Sequence, residues 1–183
     1  MYTLNFDGLF QVKKEISGFR NEISIMCYGW LVSDGKQVIA KGYGSYTHRE
    51  VASSNGAEYL ALIEGLEALA DLGLKKEPVL VIGDAKSVID QMQGFAGVTS
   101  PRIKTLHRRA IRLSRGLAGL QWQWVPRSEN KAADRLTRNA LSLVCSRKID
   151  TLSTIEAMKR CPGFRLISDL MVCQRSANLI SNQ

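Results

Sequence analysis

Four consecutive apolar residues, Val79-Leu80-Val81-Ile82, stand between Pro78 and the pair Gly83-Asp84. This run constrains the chain more than any other stretch. It is short, mostly β-branched and without polar alternation, so it predicts a central strand covered on both faces. Such a strand needs helices on either side of a sheet, and the rest of the chain has to supply them. Tyr2, Leu4 and Phe6 alternate with Thr3, Asn5 and Asp7, which predicts a first half-buried strand with Asp7 at its polar end. A second strand is expected over 23–32 and a third over 37–46. Between them lies Ser33-Asp34-Gly35-Lys36, where Asp-Gly favours a tight hairpin.

The helices follow from a different period. Tyr59, Leu62, Ile63, Leu66, Leu69 and Ala70 recur at helical spacing and predict a helix over 57–72, with Gly73 closing it. A short helix carrying Val88, Ile89 and Met92 comes after Asp84. Ser100-Pro101 predicts a capped start to a further helix reaching about Leu117. Leu120, Trp122 and Trp124 alternate with glutamines as a fifth strand, both tryptophans being read as core residues. Asn130 is expected to cap a last helix bearing Ala133, Leu136, Ala140 and Val144. The order βββαβααβα predicts an α/β protein: a mixed five-stranded sheet flanked by helices, three antiparallel strands first and two parallel additions after them.

Residues 1–144 thus form one domain, and 145–183 read as a C-terminal extension with short helices. Leu152, Ile155, Met158, Phe164, Leu166, Ile167, Leu170, Met171 and Val172 make that extension too apolar for a free tail. Self-association or a protein partner is expected there. The net charge of +8 calls for a polyanionic partner. No apolar run approaches the ~18 residues of a spanning helix, so a membrane is not expected. The opening residues show no leader pattern. Cys27, Cys145, Cys161 and Cys173 are too scattered for a zinc site or a disulfide framework, which fits reduced thiols in a cytoplasmic protein.

Four acids carry the chemistry. Asp7 and Asp84 are expected at strand ends, Glu58 opens the first long helix, and Asp134 lies in the first turn of the last. First and fourth strands lying side by side would bring Asp7 and Asp84 together. Clustered carboxylates repel unless a cation neutralises them. Hard oxygen donors without His or Cys favour magnesium, with manganese able to substitute. Arg102, Lys104, Arg108, Arg109, Arg112 and Arg115 crowd one predicted helix, a surface suited to tracking phosphates.

Four motifs then share one resemblance. Phe6-Asp7-Gly8, the Ser53–Leu60 segment with Glu58 behind an Asn-containing turn, Gly83-Asp84-Ala85-Lys86, and above all Trp124-Val125-Pro126-Arg127-Ser128-Glu129-Asn130-Lys131-Ala132-Ala133-Asp134 resemble the motifs of type 1 ribonuclease H. The resemblance covers roughly residues 1–144. It implies a ribonuclease H-like fold and endonucleolytic hydrolysis of the RNA strand of RNA–DNA hybrids, leaving 5′-phosphate and 3′-hydroxyl ends. It implies a metal site of Asp7, Glu58, Asp84 and Asp134, and substrate contacts from Ser53, Ser54 and Asn55. Asn130, Arg108, Arg109 and Arg112 join those three as expected substrate-binding residues. The sequence departs from the family pattern at Ala85, where Ser is usual, and in lacking the catalytic His of many members. Arg127 stands near that place and is expected to serve catalysis. Residues 92–100 are too few for the family's basic protrusion. An alternative on the same fold is a non-catalytic nucleic-acid-binding or assembly module.

Overall fold

The computed structural model describes residues 1–13, 23–46 and 52–146. Among the described residues there are five strands: β1 (Tyr2–Lys13), β2 (Ile23–Ser33), β3 (Val38–Tyr46), β4 (Val79–Gly83) and β5 (Leu120–Trp124). Four α-helices accompany them among the described residues: α1 (Ser54–Asp71), α2 (Lys86–Gln93), α3 (Pro101–Arg115) and α4 (Lys131–Ser146). The sheet order is β3-β2-β1-β4-β5. β1, β2 and β3 pair antiparallel, whereas β4 joins β1 and β5 joins β4 in parallel. The expected architecture is the observed one. The extension lies, from residue 147 onward, outside the described residues. Among the described residues no helix is long and apolar enough to cross a membrane.

The alternation of β1 sorts the sheet into two faces. Leu4 and Phe6 point with Tyr28 and Val32 into the main core, where Tyr59, Leu62, Ile63, Leu66 and Leu69 of α1 meet them. On the opposite face Ile25 and Cys27 pack on Ala140, and Leu31 packs on Ala133 and Leu136, all from α4. α1 is buried nearly all round, because the sheet lies on one side of it and α3 on the other. The sequence showed only its sheet-facing stripe. Each such aliphatic or aromatic side chain contributes about 1.5–3 kcal/mol by leaving water.

Three expectations need correction. β1 continues to Lys13, so Asp7 lies mid-strand and is almost wholly buried. β4 is fully buried at Val79, Val81 and Gly83, but Leu80 and Ile82 are only partly covered, since α4 packs over β1, β2 and β3. The β-branched run marked an inner strand without guaranteeing a cover on each side. Ser100 precedes α3 but its side chain makes no capping bond.

Candidate active site

The register of two strands and the approach of one helix gather the acids. Asp7 sits one residue past the Phe6–Gly83 pair of the parallel β1–β4 ladder, and Asp84 follows Gly83 directly. Both therefore lie at the same level of the sheet. Glu58 comes from the N-terminal part of α1, which approaches β1 at Gly8. A Cβ on Gly8 would stand 2.2 Å from the Glu58 nitrogen, so only glycine permits this approach. The Gly8 N–H donates to Glu58 Oε2 at 3.0 Å. One carboxylate oxygen from each of Asp7, Glu58 and Asp84 lies within 4.8 Å of the others.

Each acid is held by its own partner. Thr137 of α4 donates its hydroxyl to Asp7 Oδ2 at 2.6 Å. Asn130 donates from Nδ2 to Asp84 Oδ1 and to the Phe6 carbonyl, both at 2.8 Å, while its Oδ1 accepts from Asn5 at 3.3 Å. Trp124 donates its indole N–H to the Asp84 carbonyl at 3.0 Å. Asp134 stands apart from the three-acid cluster. It is ion-paired with Arg127 and with Arg138, whose Nε lies 2.7 Å from Oδ2.

Electrostatics separates these acids. Burial pushes the Asp7 carboxyl up to about 6; the Thr137 hydrogen bond opposes this, and repulsion from Asp84 adds to it. Burial also drives Glu58 well above the usual carboxylate range, with Asp7 and Asp84 adding repulsion. Asp134 moves the other way, held below that range by its bonds to Arg138 and Arg127. Two buried carboxyls that resist carrying charge, with the carboxylate of the partly exposed Asp84 beside them, make the donor set of a hard divalent cation, and the three residues fit one.

A family model described as reverse transcriptase-like matches residues 5–140. The chain belongs to this family. The reverse transcriptase-like domain is 37% identical over 114 residues to a protein named ribonuclease HI from Halobacterium salinarum, covering 62% of this chain and 55% of that one. It is 38% identical over 90 residues to the bifunctional protein Rv2228c of Mycobacterium tuberculosis, covering 49% of this chain and 24% of that one. The domain therefore spans between a quarter and about half the length of these relatives. The crystal structure of RNase H1 from Halobacterium salinarum superposes with a TM-score of 0.64 at 28% identity, covering 77% of this chain and 97% of that chain. The ribonuclease H-like fold is thereby established for the domain.

Other expected site residues of this reverse transcriptase-like domain fall in varied places. Ser53 is the N-cap of α1, its hydroxyl accepting from the Gly56 N–H at 3.0 Å. Ser54 is exposed in the first turn, and Asn55 accepts from Ser87 of α2 at 3.2 Å. Asn130 is corrected in one respect. Its side chain does not cap α4; it is 1% exposed and ties Asp84 to β1. Arg108 and Arg112 are exposed, but Arg109 is paired with Glu67 at 2.5 Å. Trp122 packs on the core as expected, whereas Trp124 is 43% exposed beside Asp84. Sequence reading missed Thr137 and Arg138, and named Gly8 in its motif without the close approach of α1 that requires it. Thr137 had a signal: it is the one polar side chain in the buried α4 stripe Ala133, Leu136, Thr137, Ala140.

Proposed function

We propose that this domain hydrolyses the RNA strand of RNA–DNA hybrids with divalent cations held by Asp7, Glu58, Asp84 and Asp134, magnesium in the ordinary case and manganese as a substitute. The convergence of Asp7, Glu58 and Asp84 within 4.8 Å carries this reading, together with membership of a family whose haloarchaeal relative is named ribonuclease HI. In the reaction water attacks phosphorus and the ribose 3′-oxygen departs, leaving 5′-phosphate and 3′-hydroxyl ends. A cation at the carboxylates would supply the positive charge that activates the water and steadies the leaving oxygen.

The chain's own groups do the rest. Gly8, Thr137 and Asn130 fix the carboxylates before substrate arrives. Arg127 is exposed and paired with Asp134, which supports a role in which its guanidinium stabilises the charge developing on the transferring phosphate. The first turn of α1, with Ser54 and Asn55, offers backbone N–H groups and a positive helix end to phosphate and to the 2′-hydroxyl that distinguishes RNA. Arg108 and Arg112 extend the contact to phosphates without reading bases. We assign the protein to the cytoplasm, and to residues 145–183 a role in self-association or partner binding.

Cleavage of a labelled hybrid, assayed beside RNA duplex, DNA duplex and single strands with and without magnesium, tests the reading. The hybrid alone should be cut, and only with the cation. Asp84→Asn keeps an oxygen for Asn130, so it should fold yet lose several orders of magnitude in rate. Arg127→Ala should lose about tenfold to a thousandfold. Wild-type rate in a folded Asp84→Asn protein would sink the proposal.

A further inference from the structure

Thr137 is fully buried on the sheet side of α4, and no substrate can touch it. Its hydroxyl lies 2.6 Å from Asp7 Oδ2 and 2.9 Å from the Ala133 carbonyl, four residues back along the helix. A hydroxyl has a single proton to give. In most helices threonine returns it to that carbonyl. Here a carboxylate at shorter distance competes, and a charge-assisted bond is the stronger one. Among the described residues no other side chain donates to the Asp7 carboxylate.

Strand register makes the contact possible. Gly29 is the cross-strand partner of Asp7. A Cβ there would stand 2.8 Å from the Ala133 carbonyl oxygen and 2.8 Å from the Thr137 nitrogen. The backbone of α4 therefore occupies the space that any other residue at position 29 would fill, and this brings Thr137 beside Asp7. We infer that Thr137 is a positioning residue for the cation site: its hydroxyl commits one Asp7 oxygen to α4, which stops rotation of the carboxylate and leaves the other oxygen for the cation. The inference rests on the reading of Asp7, Glu58 and Asp84 as cation ligands. Hydrogen-bonded partners of ligating groups typically contribute about 10- to 100-fold in metal affinity.

The test compares Thr137→Val, which removes the hydroxyl and keeps the shape, with Thr137→Ser, which keeps the hydroxyl. Magnesium and manganese affinity of the full chain is measured by calorimetry. The half-saturating magnesium concentration for hybrid cleavage, and KM for hybrid at saturating magnesium, are measured alongside. Thr137→Val should weaken cation binding and raise the magnesium requirement by about 10- to 100-fold, with KM for hybrid unchanged. Thr137→Ser should return both to within a few fold of wild type. Thr137→Ala answers the same question should Thr137→Val fail to fold. Wild-type cation affinity in a hydroxyl-free variant, or a Thr137→Ser protein as weak as Thr137→Val, would overturn the inference alone, provided Asp7→Asn abolishes binding. If the wild-type protein binds neither cation, or Asp7→Asn leaves binding unchanged, the ligand assignment falls and the inference with it.

Discussion

Asp7 shows how one residue can oppose stability and serve chemistry at once. Its carboxyl is raised to about 6 in the folded protein, chiefly by burial. The unfolded chain gives up that proton at the ordinary carboxylate value. Between these two values the folded state binds more protons, so stability must fall as pH rises through the window and level off above it. A shift of this size corresponds to roughly 3 kcal/mol. Glu58 acts in the same direction. Asp134, with its lowered pKa, acts in the opposite direction and only at more acid pH. The cation-free protein should therefore melt at falling temperature from about pH 4 to pH 6–7, and magnesium should restore what is lost at the upper end. Asp7→Asn should raise the melting temperature of the cation-free protein at pH 7 and abolish the response to magnesium. Melting curves in chelator and in magnesium across this range check it; a flat profile for the wild-type protein would show that Asp7 is not strained by burial.

At the scale of elements, two glycines determine how closely helices approach the sheet. Gly8 admits the start of α1 on one face, and Gly29 admits α4 on the other. These are neighbouring positions in the same ladder, since Asp7 pairs with Gly29 and Gly8 with Tyr28. Gly29→Ala would push a methyl against the α4 backbone, where nothing flexible can yield. We expect about 1–3 kcal/mol of destabilisation from overpacking. The displaced helix should also separate Thr137 from Asp7, so cation affinity should drop more than stability alone explains. Chemical denaturation and calorimetry on the one variant measure both. Unchanged cation affinity in a destabilised Gly29→Ala protein would show that α4 yields without moving Thr137.

Across the whole molecule the basic residues do not form one equivalent surface. Arg109 is paired with Glu67, which lies nine residues beyond Glu58 and so roughly 13 Å further along α1. Arg108 and Arg112 are exposed. Replacing Arg108 and Arg112 by alanine should flatten the salt dependence of hybrid binding by up to about one unit per contact, while Arg109→Ala should change it less and affect stability instead. Binding titrations at several salt concentrations distinguish these outcomes, and slopes unchanged from wild type at all three positions would remove α3 from the interface. The same contrast between position and environment marks what was legible beforehand. The sequence by itself determined the element order, the Asp-Gly hairpin, the inner strand and the four candidate acids, because each rests on local periodicity or on a short contiguous motif. It did not determine that β1 runs past Asp7, that Asn130 is buried against Asp84 rather than capping α4, or that Asp134 is ion-paired outside the three-acid cluster. Nor did it mark Thr137 as the partner of Asp7. The burial of Asn130 and the Thr137–Asp7 bond depend on contacts between residues more than a hundred positions apart, Asn130 with Phe6 and Thr137 with Asp7. Only the docking of α4 on the sheet brings such groups within hydrogen-bond distance, and burial then sets which of them can carry charge.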